Sequence, residues 1–276
     1  MGKSLTGALE IVLRTDPGLV RGQNEDSVLA DARRGLAILA DGMGGYNAGE
    51  VASNMATTLL ASKLAAAFAT TAASSTDRLT GQPFACRCLV EQIEEVNLAI
   101  YHAAECEEQF GGMGTTLLAT VFCDDKVIVA HVGDSRLYRL RGDELLAMTH
   151  DHSLLQEQLD SGLISADEAR YSLDKNLVTR AVGVDSEVEV EIHVYPVLPG
   201  DVYLLCSDGL YDMVDESDMQ SALEMFGADL DRSARQLVQM ANDSGGDDNI
   251  SVVLVRVLRE FPAATGGGSG FWSWLN

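Results

Sequence analysis

Carboxylates recur in this sequence beside glycine or asparagine where strands should end: Asn24-Glu25-Asp26, Asp41-Gly42-Met43-Gly44-Gly45, Gly133-Asp134-Ser135-Arg136, Ser207-Asp208-Gly209 and Gly246-Asp247-Asp248-Asn249. No cysteine pair or histidine is built into them. Convergent carboxylates without soft ligands suit hard, oxygen-seeking cations such as Mn²⁺ or Mg²⁺ rather than zinc. Such ions side by side serve in-line attack of a bound water on a phosphate. Each motif alone has a plainer reading. Asp41-Gly42 could be a glycine-rich turn, Asp208-Gly209 a strand-ending turn, and Asp248-Asn249 a cap. Five of them at strand ends point to one shared site.

The elements that must position them can be read from periodicity. Ala8–Arg14 reads as a strand followed by the turn Thr15-Asp16-Pro17-Gly18, and Ser27–Ala32 and Gly35–Ala40 as a strand pair. Gly49–Ala72 and Cys86–Phe110 are helix-forming, the second with Leu89, Ile93, Val96 and Ile100 on one face. Thr116–Cys123, Lys126–Val132 and Arg136–Leu140 return to strand periodicity around hairpin turns. Ser153–Tyr171 is a helical insert with a capping-box pattern, Ser165-x-x-Glu168. Val188–Val194 alternates as a strand, Val202–Cys206 is a buried one, Glu216–Phe226 and Asp229–Asn242 are helices, and Ile250–Leu258 is the last strand. This order predicts an α+β sandwich with sheets inside and helices outside.

Composition sets limits. The chain has 276 residues and is 46% hydrophobic, ample for a large core without disulfide staples. Its 42 acidic and 19 basic residues give a net charge of −23, which repels nucleic acid and anionic lipid as main partners. The five cysteines are an odd number, mostly within apolar runs, so a reduced, cytoplasmic compartment is expected. Met1–Thr6 lacks the apolar core of a signal peptide. Met55–Ala73 is interrupted by Ser62-Lys63 and reads as a buried helix, not a membrane span.

The order of motifs resembles the metal-dependent serine/threonine phosphatases of type 2C, and within them the compact bacterial branch. Arg21-x-x-Asn24-Glu25-Asp26, Asp41-Gly42-Met43-Gly44-Gly45, Gly114-Thr115-Thr116, Gly133-Asp134-Ser135-Arg136, Thr179-Arg180-Ala181-Val182-Gly183, Ser207-Asp208-Gly209-Leu210 and Asp248-Asn249 carry the likeness, over roughly Glu10 to Arg256. The resemblance implies a four-layer α-β-β-α sandwich of two antiparallel sheets flanked by helix pairs. Residues 7–260 would be the catalytic domain, with a small helical flap at about 150–177. Residues 261–276 would be a glycine-rich linker and an aromatic tail, Phe271–Leu275.

The likeness also implies roles. Asp26, Asp41, Asp208 and Asp248 would hold two Mn²⁺ or Mg²⁺ ions with the Gly42 carbonyl, and a bridging hydroxide would attack phosphoserine or phosphothreonine directly. Glu25 would border the site, and Asn249 would ligate or support a ligand. Asp134 and Asp212 would hold a third, weaker ion. Arg21 would grip the phosphate, a role suited to its planar fork; the competing reading is a solvated arginine in a turn. Asp134 has a rival reading too, as a turn residue paired with Arg136; Asp16 would support the site's ligands from behind or only shape the turn. Met43 and Tyr46 stand where relatives carry histidines, which leaves a metal-bound water or the Tyr46 hydroxyl as general acid. His131, His150 and His152 are read as structural, His102 and His193 as exposed or packing. No cysteine is followed six residues later by arginine, so no thiol nucleophile is assigned. The flap would gate substrate or be plain solvated surface; the tail would dock on a partner, dock on the domain, or stay disordered.

The implied partners are a Ser/Thr-phosphorylated protein and a cognate bacterial Ser/Thr kinase or its target, acted on by a monomer. Two rivals stand beside this: a phosphatase of a dedicated regulator or small phosphate ester, and a catalytically weak module that only binds phosphoproteins.

Overall fold

The computed structural model describes residues 5–45, 47–165, 168, 177–227 and 229–261. Its strands are β1 (Leu9–Asp16), β2 (Asp26–Asp31), β3 (Leu36–Met43), β4 (Gly114–Thr115), β5 (Leu117–Cys123), β6 (Lys126–Val132), β7 (Arg136–Arg141), β8 (Glu144–Ala147), β9 (Glu191–Pro196), β10 (Val202–Cys206) and β11 (Ile250–Val257). Helices α1 (Ala48–Thr70) and α2 (Phe84–Cys106) form one pair. Then come α3 (Leu154–Asp160), the single turn α4 (Asp208–Tyr211), and the second pair, α5 (Glu216–Met225) and α6 (Leu230–Asp243).

One sheet runs β1-β11-β10-β7-β8 and the other β2-β3-β5-β6-β9, with β4 beside β3. Strand alternation builds three cores from these two sheets. Ile38 and Ala40 of β3 turn outward under α1 and α2, joining Leu60, Leu64, Leu89 and Ile93. Ala37 and Leu39 turn inward and meet Tyr203, Leu205, Val253 and Val255 of the facing sheet. The other faces of β10 and β11, with Leu204, Val252 and Leu254, pack on Leu223, Leu230 and Leu237 of α5 and α6. Apolar faces on both sides of each sheet require cover on both sides, and the expected α-β-β-α sandwich results.

Some boundaries differ from expectation for identifiable reasons. β1 continues through Asp16 because β11 pairs along its whole length, ending at Asp16 with Ile250. The turn begins later, and the Asp16 carboxylate closes it by accepting from the Gly18 N–H at 3.0 Å. α2 stops at Cys106, and Glu108–Phe110 is a separate 3₁₀ turn. β9 begins only at Glu191, so Val188 and Val190 lie before the strand although they still pack on the α1–α2 core.

In the insert, Ser153 caps α3 by accepting from the Gln156 N–H. The capping box forms as written: the Glu168 N–H donates to Ser165 Oγ, and the Ser165 N–H donates to Glu168 Oε2. Most of residues 166–176, Tyr46 and the aromatic tail lie outside the described residues. No helix among the described residues is long and apolar enough to cross a membrane.

Candidate metal centre

Antiparallel pairing brings the acidic motifs to one end of the sandwich. Asp26 opens β2 and is paired in register with Asp41 near the end of β3. Asp208 follows β10, and Asp248 lies two residues before β11, the antiparallel neighbour of β10. Asp134 follows β6 in the other sheet. Together Asp41, Gly42, Asp134, Asp208 and Asp248 line a cleft of about 230 Å³. This cleft shares Arg21, Glu25 and Gly44 with a wider outer groove of about 550 Å³.

The electrostatics of this cleft are adverse for a bare protein. Burial, partly relieved by hydroxyl hydrogen bonds, raises the Asp26 carboxyl to about 7. Burial also pushes Asp41 and Asp208 well above the usual carboxylate range, and each is raised further by the other carboxylates it faces. Asp134 is lifted to about 6 by burial and then by Asp151. Asp26 Oδ1 and Asp208 Oδ1 are buried with no hydrogen-bond partner among the described residues. Buried acceptors crowded together without donors are costly unless a cation satisfies them. An all-oxygen donor set of this kind fits Mn²⁺ or Mg²⁺.

Comparison with known proteins agrees with this geometry. Residues 21–255 match the family described as protein phosphatase 2C. The chain belongs to that family. It is 42% identical to the "Serine/threonine phosphatase stp" of Listeria innocua, over 88% of this chain and 93% of that one. Among solved structures, the serine/threonine phosphatase PstP/Ppp of Mycobacterium tuberculosis superposes with a TM-score of 0.80 at 37% identity, covering 91% of this chain and 99% of that one. The catalytic domain of PstP in complex with two manganese ions superposes with a TM-score of 0.77 at 38% identity, covering 91% and 98%.

The phosphatase 2C framework makes the remaining placements intelligible. Arg21 is half-exposed at the rim, where its Nη2 donates to Asp248 Oδ2 at 2.7 Å. Gly42 and Gly209 are glycines because of close approach, not because of a left-handed backbone. A Cβ at Gly42 would lie 2.1 Å from the Gly49 carbonyl oxygen, and one at Gly209 would lie 2.1 Å from that of Asn249. Asn249 is fully engaged as a clamp. Its Oδ1 accepts from the Glu25 N–H at 2.7 Å, and its Nδ2 donates to the carbonyls of Pro17 and Gln23. It therefore fixes the loop that carries Arg21, Glu25 and Asp26. Asp212 is exposed at the end of α4 and adds negative charge near Asp208.

One expectation needs correction. Arg136 does not pair with Asp134 in a turn. Its guanidinium forks onto the Asp151 carboxylate, with 2.6 Å from Nη2 to Oδ2, and lies 3.7 Å from the centre of the Tyr211 ring. Tyr211 in turn donates its hydroxyl to the Asp134 carbonyl at 3.1 Å. The Asp134 carboxylate is left to the cleft. The cysteines lie apart from this chemistry: Cys86, Cys88 and Cys206 are buried, and burial raises the thiols of Cys88 to about 11 and Cys123 to about 12.

Two supports escaped the sequence reading of roles, although their motifs were visible. Ser207 donates to Asp26 Oδ2 at 2.9 Å while its Oγ accepts from the Ser251 N–H at 3.0 Å. Thr115 Oγ1 and the Thr116 N–H both donate to the Asp41 carbonyl at 2.8 Å, and the Asp41 N–H donates to Thr116 Oγ1 at 3.0 Å. The Gly114-Thr115-Thr116 run thus locks the backbone that carries Asp41. Loss of such an outer support costs about 10–100-fold in metal affinity or activity. Thr116→Val should therefore weaken Mn²⁺ affinity at least tenfold by calorimetry; wild-type affinity would show that Asp41 is held without it.

Proposed function

We propose that this protein is a divalent-cation-dependent phosphatase of phosphoserine and phosphothreonine in proteins. The observation that carries the reading is the mutually repelling carboxylate set gathered at one cleft, with Arg21 at its rim. Asp26, Asp41, Asp208 and Asp248, with the Gly42 carbonyl, are the proposed ligands of two cations, either Mn²⁺ or Mg²⁺. When bound, the cations supply a water of lowered pKa and positive charge for the phosphoryl oxygens.

The chain's own residues do the rest. Arg21 exchanges its contact with Asp248 for two oxygens of the substrate phosphate and orients the ester in line. Ser207 and the Thr115–Thr116 backbone hold Asp26 and Asp41 so that their oxygens need no reorganisation during reaction. The outer groove beside Gly22 and Gln23 accepts the polypeptide around the phosphorylated residue. Asp134 and Asp212 are proposed to hold a third, weaker cation. A cytoplasmic monomer that reverses a Ser/Thr kinase is the matching biological setting. A non-catalytic phosphoprotein-binding module would have no use for this acidic set.

Phosphopeptide turnover tests the reading. Phosphate should be released from phosphothreonine and phosphoserine peptides in Mn²⁺. Arg21→Ala should raise KM with both Mn²⁺ ions still bound. Peptide binding without phosphate release would instead make the protein a reader of phosphoproteins, and efficient turnover of small esters alone would exclude protein substrates. Asp134→Ala should keep both tight ions and lose phosphopeptide turnover, with little recovery at high Mn²⁺. An unchanged rate would leave Asp134 outside the chemistry.

A further inference from the structure

A second cluster of metal-ligating side chains lies away from the carboxylate cleft, on the open edge of the second sheet. β6 and β9 are antiparallel neighbours, and their register sets His131 opposite Glu191 and Val129 opposite His193. Strand alternation places His131 on the same face as Val127 and Val129, toward the space between the sheets. Glu191 and His193 share that face with Tyr195. One nitrogen from each imidazole and one Glu191 oxygen lie within 4.8 Å of one another.

His131 is 1% exposed, yet neither of its ring nitrogens has a hydrogen-bond partner among the described residues. Its Nε2 faces Glu191 Oε1 at 3.7 Å, too far for a hydrogen bond. A buried imidazole with both nitrogens unsatisfied is costly. The same carboxylate oxygen is 2.5 Å from His193 Nε2. Burial lowers His131 to about 4, so its ring is neutral and carries a free lone pair at neutral pH.

The other Glu191 oxygen is held from outside the cluster. His152 Nδ1 accepts from the Gly133 N–H at 3.1 Å, which leaves the proton on Nε2, and that nitrogen meets Glu191 Oε2 at 3.1 Å. The His152 ring stacks on His131 with centroids 4.8 Å apart. His152 is thus spoken for as a support of the carboxylate, the arrangement in which a metal-ligating carboxylate is oriented by a hydrogen-bond donor.

We propose that His131, Glu191 and His193 form a binding site for a zinc-class dication, separate from the carboxylate centre, with His152 as the positioning residue for Glu191. Two imidazoles and a carboxylate are a known zinc set that leaves a fourth position open to water or a ligand atom. The two centres select by donor chemistry: imidazole favours Zn²⁺, whereas carboxylate and carbonyl oxygens favour Mn²⁺ and Mg²⁺. Ligation satisfies one of the two orphaned His131 nitrogens. It also ties β9 to the backbone at Gly133 and to the segment that leads through Ser153 into the insert.

The test is zinc retention by the full chain with the carboxylate centre filled by excess Mg²⁺. Wild-type protein should keep one Zn²⁺ per chain through gel filtration, and substituted Co²⁺ should show tetrahedral visible absorption. His193→Ala and Glu191→Gln, at a half-exposed strand edge where folding is tolerant, should each weaken Zn²⁺ by more than about tenfold. Neither should alter the binding of Mn²⁺ to the carboxylate cleft. Failure of wild type to retain Zn²⁺ overturns the proposal. So does equal retention by both variants, which would place the zinc among the aspartates.

Discussion

Asp41→Asn should abolish phosphatase turnover and still make the metal-free protein harder to melt. The carboxylate of Asp41 faces Asp26, Asp134 and Asp248, and burial and these neighbours disfavour its charge. An amide of the same shape removes one charge from that cluster. A gain of only about 1 kcal/mol moves Tm by about 2–4 °C in a chain of this size. Turnover should fall by about three orders of magnitude, the scale on which removing one electrostatic group from a reacting centre acts.

Cations reverse the order of stability. At a hundredfold excess over Kd, a ligand bound only by the folded state stabilises it by about 2.7 kcal/mol. Mn²⁺ should therefore raise the melting temperature of wild type by several degrees and that of Asp41→Asn by much less. Calorimetric melting in EDTA and in Mn²⁺ reads both effects. A metal-free Asp41→Asn that melts below metal-free wild type would show that the cluster is not under electrostatic strain.

Gly209→Ala should cripple the site with a single methyl group. The added carbon would meet the Asn249 carbonyl oxygen at 2.1 Å and its carbon at 2.9 Å, backbone atoms that cannot rotate away. Either α4 or the start of β11 must move, so Asp208 separates from Asp248 and the Asn249 clamp loosens. Overpacking of this kind costs about 1–3 kcal/mol. A displacement of about 1 Å at a reacting centre costs on the order of a hundredfold in rate. Gly45→Ala is the control, because a Cβ there meets nothing within 4 Å. Equal turnover by the two variants would mean that the approach of α4 to β11 does not set the site.

The sequence carried the layers because its central strands are apolar on both faces and so need cover on both sides. The inward and outward residues of β3 and β11 separate into different cores, as their spacing requires. It also carried the aspartates, since Asp-Gly after an apolar run marks a strand end wherever it occurs. What it could not carry are contacts between positions far apart in the chain. Ser207 reaches Asp26 across 181 residues, and Asn249 reaches Pro17 across 232. Nothing local distinguishes that asparagine from a ligand or an ordinary cap. Arg136 stands two residues from Asp134 and pairs with Asp151 instead, because the segment after β8 returns beside β7 and brings that carboxylate to the guanidinium. The histidine cluster was hidden for the same reason: only the β6–β9 register sets His131 beside Glu191.

The central claim is that bound divalent cations in this carboxylate cleft make the protein a phosphoprotein phosphatase. The most direct test is phosphate release from a phosphothreonine peptide by protein stripped with EDTA and then titrated with Mn²⁺. The account predicts no turnover in EDTA, recovery as the cleft fills with Mn²⁺ (two tightly bound ions per chain and then the weaker third), and the same rate after iodoacetamide treatment. Full turnover in excess EDTA, or its loss on alkylation of cysteine, would contradict it.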